Sequence, residues 1–263
     1  IIMNSLISIF SPYKQIINQF DKLNKYYTFD ASSLVGSSVP NLASGTPVYD
    51  ASILAYGSRT PLIITSSKVV GTGSVKLNYL NSTNGGYVKI NSLNVLNTGL
   101  TIVCWIYLPT VGDASWSRLF DFGTGQASNN IIYSIFNGIS IYNASNYQPG
   151  ATSGIYTSAT DLNVWIHFAW TMSYTTTATS RTRIYKNKLG ATFNATPFFS
   201  ANNALYPDIS VSRNSNYIGR SNWSVDPMSN LYIDDFRIYN KELSATEIQT
   251  LFNNRVSSFN IIT

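Results

Sequence analysis

The stretch from Asn230 to Asn254, NLYIDDFRIYNKELSATEIQTLFNN, decides how this chain folds. Its first half is apolar and β-rich, yet two adjacent aspartates interrupt it. Its second half carries the start signals of a helix. Ser244 followed by Glu247 makes an S-x-x-E capping box, and Leu243 with Ile248 occupies the two positions of a hydrophobic staple. Ile248, Leu251 and Phe252 then form one apolar stripe, which lays a short helix against a sheet. In the strand, strict alternation places Asp234 inward with Tyr232, Phe236 and Ile238, and Asp235 outward with Arg237 for an i, i+2 ion pair. An inward carboxylate needs hydrogen-bond donors, such as loop N–H groups or a tyrosine hydroxyl.

Working outward, the same β-type runs recur along the chain, separated by Gly, Asn, Ser and Pro clusters. They include SVKLNYL, GLTIVCWIYL, SRLFDFG, NIIYSIF, GISIYN, VWIHFAWTM, TRIYKN and NYIGR. Both faces of Leu100–Leu108 are largely apolar, which predicts a central strand covered on two sides. Hairpin signals stand at Asn84-Gly85-Gly86 and Asn137-Gly138. About a dozen short strands with turn-rich spacing predict an all-β, antiparallel, jelly-roll-like β-sandwich with one short C-terminal helix. Residues 1–24 are expected to form an N-terminal arm, helical after Pro12 through Ile16, Ile17, Phe20 and Leu23. The sandwich is expected over 25–254, with a tail at 255–263.

Composition fits this reading. Aromatics make up 14% of the 263 residues and charged groups only 11%, which suits half-buried strands better than long helices. The net charge of +5 is spread thinly. No cationic stripe for phosphates appears, and RTRIYKNK (Arg181 to Lys188) alternates like one strand face, so no nucleic-acid partner is expected. The single cysteine, Cys104, lies in an apolar strand and reads as a small buried hydrophobe. No apolar stretch approaches the roughly 20 residues of a membrane span. The opening IIMNSLISIF reads as a docking arm.

IDDFRIYN followed by KELSATEIQTLFN resembles the end of laminin-G-like domains of the concanavalin A-like lectin/glucanase superfamily. VWIHFAWT (Val164 to Thr171) is similar to that family's Trp-x-His strand. LFDFG, RIYKN and NYIGRSNW fall in the family's order, and YYTFD with PVYDASI resembles its opening strands. The likeness covers Tyr26 to Asn254. It implies two curved antiparallel sheets and, among relatives, sugar-binding lectins, glycoside hydrolases, calcium-dependent adhesion modules and structural domains, so fold leaves function open. This Asn-, Ile- and Tyr-rich version looks like copies encoded by large DNA viruses of protists and algae.

Candidate chemistry narrows the choice. Glycoside cleavage needs two positioned carboxyls, which hydrolases of this superfamily place as E-x-D-x-E on one strand. The chain has two glutamates, Glu242 and Glu247, both in the helix region, and Asp234 and Asp235 are expected on opposite faces. The lone His167 is expected to pack, as are Trp105, Trp165 and Trp170. Calcium needs several oxygen ligands, but Asp113, Asp121 and Asp226 are scattered, and neither a metal nor another cofactor is expected. Four N-x-S/T sequons, at Asn81, Asn143, Asn194 and Asn222, are what chance gives in so Asn-rich a chain. Loop aromatics are the better candidates: Trp116, Tyr147 and the compact set Asn222, Trp223 and Asp226 combine ring-stacking surface with hydroxyl-binding groups, although Trp223 also reads as a plug of the sandwich end. The sequence therefore predicts a non-enzymatic structural or attachment protein of a virus particle, located in the virion. Its expected partners are other capsid or virion proteins and host glycans. The alternative is an extracellular lectin-like module of cellular origin.

Overall fold

A computed structural model of the chain describes residues 22–254, apart from 45, 80, 82–83, 111–115, 144–145 and 149–152. Its strands are β1 (Leu23–Tyr27), β2 (Ser38–Asn41), β3 (Val48–Tyr56), β4 (Leu62–Ile64), β5 (Ser74–Lys76), β6 (Gly85–Ile90), β7 (Leu100–Tyr107) and β8 (Arg118–Gly123). They continue with β9 (Ile131–Ser134), β10 (Gly138–Asn143), β11 (Asn146–Gln148), β12 (Trp165–Ser173), β13 (Ser180–Lys188), β14 (Phe199–Ala204), β15 (Ser215–Ile218) and β16 (Tyr232–Tyr239). One helix, α1 (Ala245–Asn253), follows. The strands form two antiparallel sheets. The back sheet runs β14-β13-β12-β7-β16-β5-β4, with β1 also paired to β16, and the front sheet runs β11-β10-β9-β8-β15-β6-β3-β2. Between them lies one core that includes Ile102, Cys104, Phe120, Phe122, Tyr133, Phe168, Trp170 and Phe236, each no more than 1% exposed. The expected β-sandwich with its C-terminal helix is thus present, and β7 is indeed a central strand buried on both faces.

The helix forms as its sequence dictates. Ser244 Oγ accepts the Glu247 N–H at 3.3 Å, and Glu247 Oε2 accepts the Ser244 N–H at 2.7 Å. Leu243, Ile248 and Leu251 pack with Val103, Ala169 and Tyr185 on the outside of the back sheet. Phe252 packs beside Trp105 and Trp165. His167 lies in this layer, its ring 4.9 Å from that of Trp105 and 5.7 Å from that of Phe252. One side of the back sheet is therefore sealed by α1, whereas no helix among the described residues covers the front sheet.

The aspartate pair departs from simple alternation. The register of β16 against β7 shifts between Asp234 and Arg237, a bulge in which Asp235 takes the left-handed conformation (φ 52°). Aspartate tolerates that region because its short side chain bonds locally. The bulge swaps the strand's faces, so Asp234 opposes Trp105 instead of sharing a face with Phe236 and Ile238. It also marks where β16 changes neighbours: Tyr232 and Ile233 pair with β5, and Phe236 to Tyr239 pair with β1. Asp234 Oδ2 accepts the N–H groups of Val69 and Val70 at 2.7 and 2.8 Å, the loop donors its burial required. Asp235 receives both Nε and Nη2 of Arg237, at 3.0 and 2.7 Å, and that guanidinium lies 4.4 Å from the Tyr26 ring. The i, i+2 pair forms as expected. The pair is architecture.

Two other expectations are revised. Asn137-Gly138 closes the β9–β10 hairpin, but Asn84-Gly85-Gly86 joins no hairpin of neighbouring strands, because β5 lies in the back sheet and β6 in the front. Gly86 is required at that crossing, since a Cβ there would lie 2.1 Å from the Pro61 ring. At the N-terminus, Leu23 and Asn24 belong to β1, held by pairing to β16, and not to the helical arm. The remainder of the arm's helix and the tail at 255–263 lie outside the described residues.

Two measurements test this account. Burial lifts the Asp234 carboxyl to about 8 against the pull of its two N–H donors. The folded state thus keeps a proton that the unfolded chain releases near the usual carboxylate range. The stability this group confers is whole below about pH 4 and is lost as pH rises toward about 8. Melting temperature should fall across that window, and Asp234→Asn should flatten the fall; an unchanged slope would refute a protonated Asp234. Ser244→Ala should cost on the order of 1 kcal/mol in urea unfolding, as the loss of one cap bond does. No change in the midpoint would mean the cap contributes nothing.

Candidate functional site

The five residues singled out in loops converge on the outer side of the front sheet. Ile139 and Ile141 of β10, and Ile131 and Tyr133 of β9, point into the core. Their alternates, Ser140 and Tyr142 with Ile132 and Ser134, therefore face outward. Arg118 joins them through a second bulge: the β8 register against β9 shifts between Arg118 and Phe120. Leu119 and Phe120 both enter the core, and Arg118 emerges on the outside, where its Nη1 donates to Ser134 Oγ at 2.6 Å. By plain parity Arg118 would have pointed inward with Phe120 and Phe122.

Around Arg118 stands a row of aromatic rings. Tyr147 stacks on Tyr142 with centroids 4.4 Å apart, and Tyr142 meets Trp223 at 5.5 Å. The Arg118 guanidinium carbon lies 5.8 Å from the Trp223 ring and 5.5 Å from the Trp116 ring. Such distances fall within cation–π range. Trp116 and Tyr147, at the two ends, are half-exposed. Trp223 is partly buried and lies outside the core clusters, so it is a surface ring and not the plug of the sandwich end. Burial and its bond to Tyr147 raise the Tyr142 phenol to about 12, so it stays a hydroxyl donor in neutral solution.

The acidic and amide members work differently from the sequence expectation. Asp226 Oδ2 accepts Arg118 Nη2 and Ser221 Oγ, each at 2.7 Å. Asn222 turns its amide inward, donating to Asp121 Oδ1 at 2.8 Å and to the Ser215 carbonyl at 3.1 Å, while its backbone N–H donates to Asp121 Oδ2. Asn222 thus holds the turn that presents Trp223, and its donors are spent on the protein. Asp121 and Asp226, scattered in sequence, meet at Ser221, whose Oγ is 3.4 Å from one and 2.7 Å from the other. Asp121 is fully buried; burial raises its carboxyl pKa while the bonds from Asn222 and Asn130 oppose the rise. Asp113 lies outside the described residues. Among the described residues no group of three His, Cys, Asp or Glu side chains is placed to hold a metal ion, and no helix is long and apolar enough to cross a membrane.

Elsewhere the acids and cations pair with each other. Glu242 takes Arg181 and Arg183, and Asp161 takes Lys186 and Lys188, which accounts for the whole basic run RTRIYKNK. Burial works against ionisation of Asp161, yet Lys186 and the Thr157 donors bring its carboxyl down to about 2.

The family model described as the concanavalin A-like lectin/glucanases superfamily, Laminin_G_3, matches residues 82–249. The chain belongs to this superfamily. No curated protein matches it. Among solved structures, domain 4 of AbnA, a GH43 extracellular arabinanase from Geobacillus stearothermophilus solved with arabinotriose, is 18% identical over 88% of this chain and 98% of that one, with a TM-score of 0.57. Botulinum neurotoxin type C, described as interacting with two ganglioside molecules, is 14% identical over 91% of this chain and 53% of its own, with a TM-score of 0.59. The binding domain of Paraclostridial Mosquitocidal Protein 1 is 14% identical over 89% and 52%, with a TM-score of 0.58. The chain spans about half the length of these toxin structures. At such identities the likeness is one of fold: this superfamily member has a lectin-like sandwich.

Sequence reasoning missed Arg118 and Tyr142. Tyr142 was legible as the polar-face alternate of Ile139 and Ile141, but the bulge that turns Arg118 outward left no local signal. The Arg118–Asp226 pair is nearly buried, with side chains 5% and 13% exposed. Asp226→Ala leaves a buried cation without its partner and should destabilise the fold by about 3 kcal/mol. The double variant Arg118→Met/Asp226→Leu should recover most of that loss in urea unfolding; additive losses would show that the two charges are not coupled.

Proposed function

We propose that this chain is a non-catalytic, glycan-binding attachment protein displayed on the particle of a large DNA virus. The row Trp116, Arg118, Trp223, Tyr142 and Tyr147 on the outer side of the front sheet, with Trp116 and Tyr147 half-exposed, carries the glycan reading. Aromatic faces stack on the C–H faces of sugar rings, and the surrounding hydroxyl groups supply hydrogen bonds, while Arg118, bonded to Asp226 and Ser134, holds the rings in place. The fold likeness to an arabinanase domain solved with arabinotriose and to a toxin described with gangliosides supports the same reading.

Catalysis is not part of the proposal, because each close acid is committed. Asp121 is buried behind Asn222, Asp226 is bound to Arg118, Glu242 to two arginines, and Glu247 to the helix start. A glycosidase needs one carboxyl to donate a proton and another to attack or activate water at the same bond. The viral assignment rests on the Asn-, Ile- and Tyr-rich version of the laminin-G-like domain, and the apolar ends of the chain suit docking to other capsid proteins. Single aromatic sugar sites bind weakly, so a particle surface that repeats them supplies the avidity.

Glycan-array screening of monomeric and multivalent protein tests the site. Multivalent protein should bind, monomer weakly, and Trp223→Ala should lose at least about tenfold in avidity while keeping its melting temperature. Unfolding of that variant, or silence of the multivalent wild type, counts against the site. Mass spectrometry of purified particles should detect the chain; recovery only from medium of a secreting cell would favour the cellular lectin.

A further inference from the structure

Beyond the aromatic row, the same face of the front sheet carries a second construction. Tyr87 and Lys89 of β6 alternate with the core residues Val88 and Ile90, and Tyr217 of β15 alternates with Ile218. Tyr217 is the cross-strand partner of Lys89 on one side and of Asp121 on the other. Into this group projects Arg220. Its guanidinium carbon lies 4.6 Å from the Tyr56 ring, 4.8 Å from Tyr87 and 5.0 Å from Tyr217. Tyr87 and Tyr217 stand edge to face at 5.5 Å, so three rings clasp one cation.

The cage holds Arg220 through its ring faces. Among the described residues no ion pair or hydrogen bond engages its guanidinium, although five N–H donors are available on it. The contrast with other cations is sharp: Lys25, Arg118, Arg181, Arg183, Lys186, Lys188, Arg237 and Lys241 each have a carboxylate. Among the described residues, Arg220 and Lys89 are in no such ion pair. The carboxylate across the strand pair from Tyr217, Asp121, is fully buried and bound to Asn130 and Asn222. A guanidinium held among rings, with no hydrogen bond to its donors among the described residues, is preorganised for an oxyanion, because the entropy of fixing the side chain is already lost in the fold.

Position links this cage to the aromatic row. Arg220 and Trp223 are the two ends of one four-residue turn, Arg220-Ser221-Asn222-Trp223, pinned at its middle by Asn222 on Asp121. Three Cα steps span at most about 11 Å. We propose that the Arg220 cage, with Lys89 beside it, is a second subsite that takes the oxyanion of an acidic glycan, either a sugar carboxylate or a sulfate ester, whose adjoining ring stacks at Trp223. The proposal rests on the glycan reading of the aromatic row and adds the chemical class of the ligand.

The test compares neutral, carboxylated and sulfated glycans of matched backbone on one array, with wild type, Arg220→Gln, Lys89→Gln and Trp223→Ala. Wild type should prefer the acidic glycans about tenfold, and that preference should shrink as NaCl is raised. Arg220→Gln should abolish the preference while retaining neutral binding, Lys89→Gln should reduce it, and Trp223→Ala should weaken both classes. Equal binding of neutral and acidic glycans by wild type and Arg220→Gln overturns the second subsite and leaves the glycan reading standing. If the array is silent, the glycan reading falls, and NMR titration with methyl glucuronide and glucose 6-sulfate against glucose decides the cage. Saturable shifts of the Arg220 and Tyr217 resonances with the two acids alone support it; their absence overturns it. Lys89→Gln lies outside the cage rings and keeps the test valid should Arg220→Gln unfold.

Discussion

The structure hinges on a single β-bulge at Asp234 and Asp235. There the central strand β16 exchanges one neighbour, β5, for another, β1. An exchange in mid-sheet leaves backbone groups and strand ends that ordinary ladder bonds do not satisfy. Each aspartate answers one part of that need. Asp234 receives the N–H groups of Val69 and Val70 from the loop leading to β5, and Asp235 binds Arg237, which lies over Tyr26 of β1. Because the bulge reverses the facing of β16, Ile233, Phe236 and Ile238 can all reach the core although their spacing is irregular. The following residues then enter the capped helix.

That helix makes the two outer sides of the sandwich unlike each other. Its apolar stripe, with Leu243, seals the outside of the back sheet over Trp105, His167 and Tyr185. The front sheet has no such cover among the described residues, and its outer side is furnished with rings and cations. Sheets hold such side chains at fixed spacing, so a ligand of the kind proposed would meet a surface that needs little reordering on binding. Turns anchored to the sheet supply the rest, as Asn222 does by binding Asp121 beneath Trp223.

Charges in this protein are few, and most are used internally. The basic run in β13 is matched by Glu242 and Asp161, and the acids near the aromatic row are matched by Arg118, Asn130 and Asn222. A protein arranged in this way presents uncharged stacking surface with isolated cations. The superfamily contains lectins and enzymes alike, so the distinction lies in the side chains and not in the sheets.

Sequence alone determined the elements: the alternating runs, the central strand β7, the Ser244–Glu247 cap and the apolar stripe of α1 all follow from local periodicity and local hydrogen bonds. It also singled out Trp116, Tyr147 and Trp223, because bulky rings in turn-rich segments stand out without any knowledge of packing. Tertiary structure decided which way the charges face. Parity along a strand holds only while the register holds, and a bulge is specified by the partner strand as much as by its own residues. Two bulges therefore moved Arg118 out of the expected core face and Asp234 away from Phe236. Only folding brought Asp121 to Asn222, Arg118 to Asp226 and Arg220 to Tyr56 and Tyr87, because each of those contacts joins residues far apart in the chain.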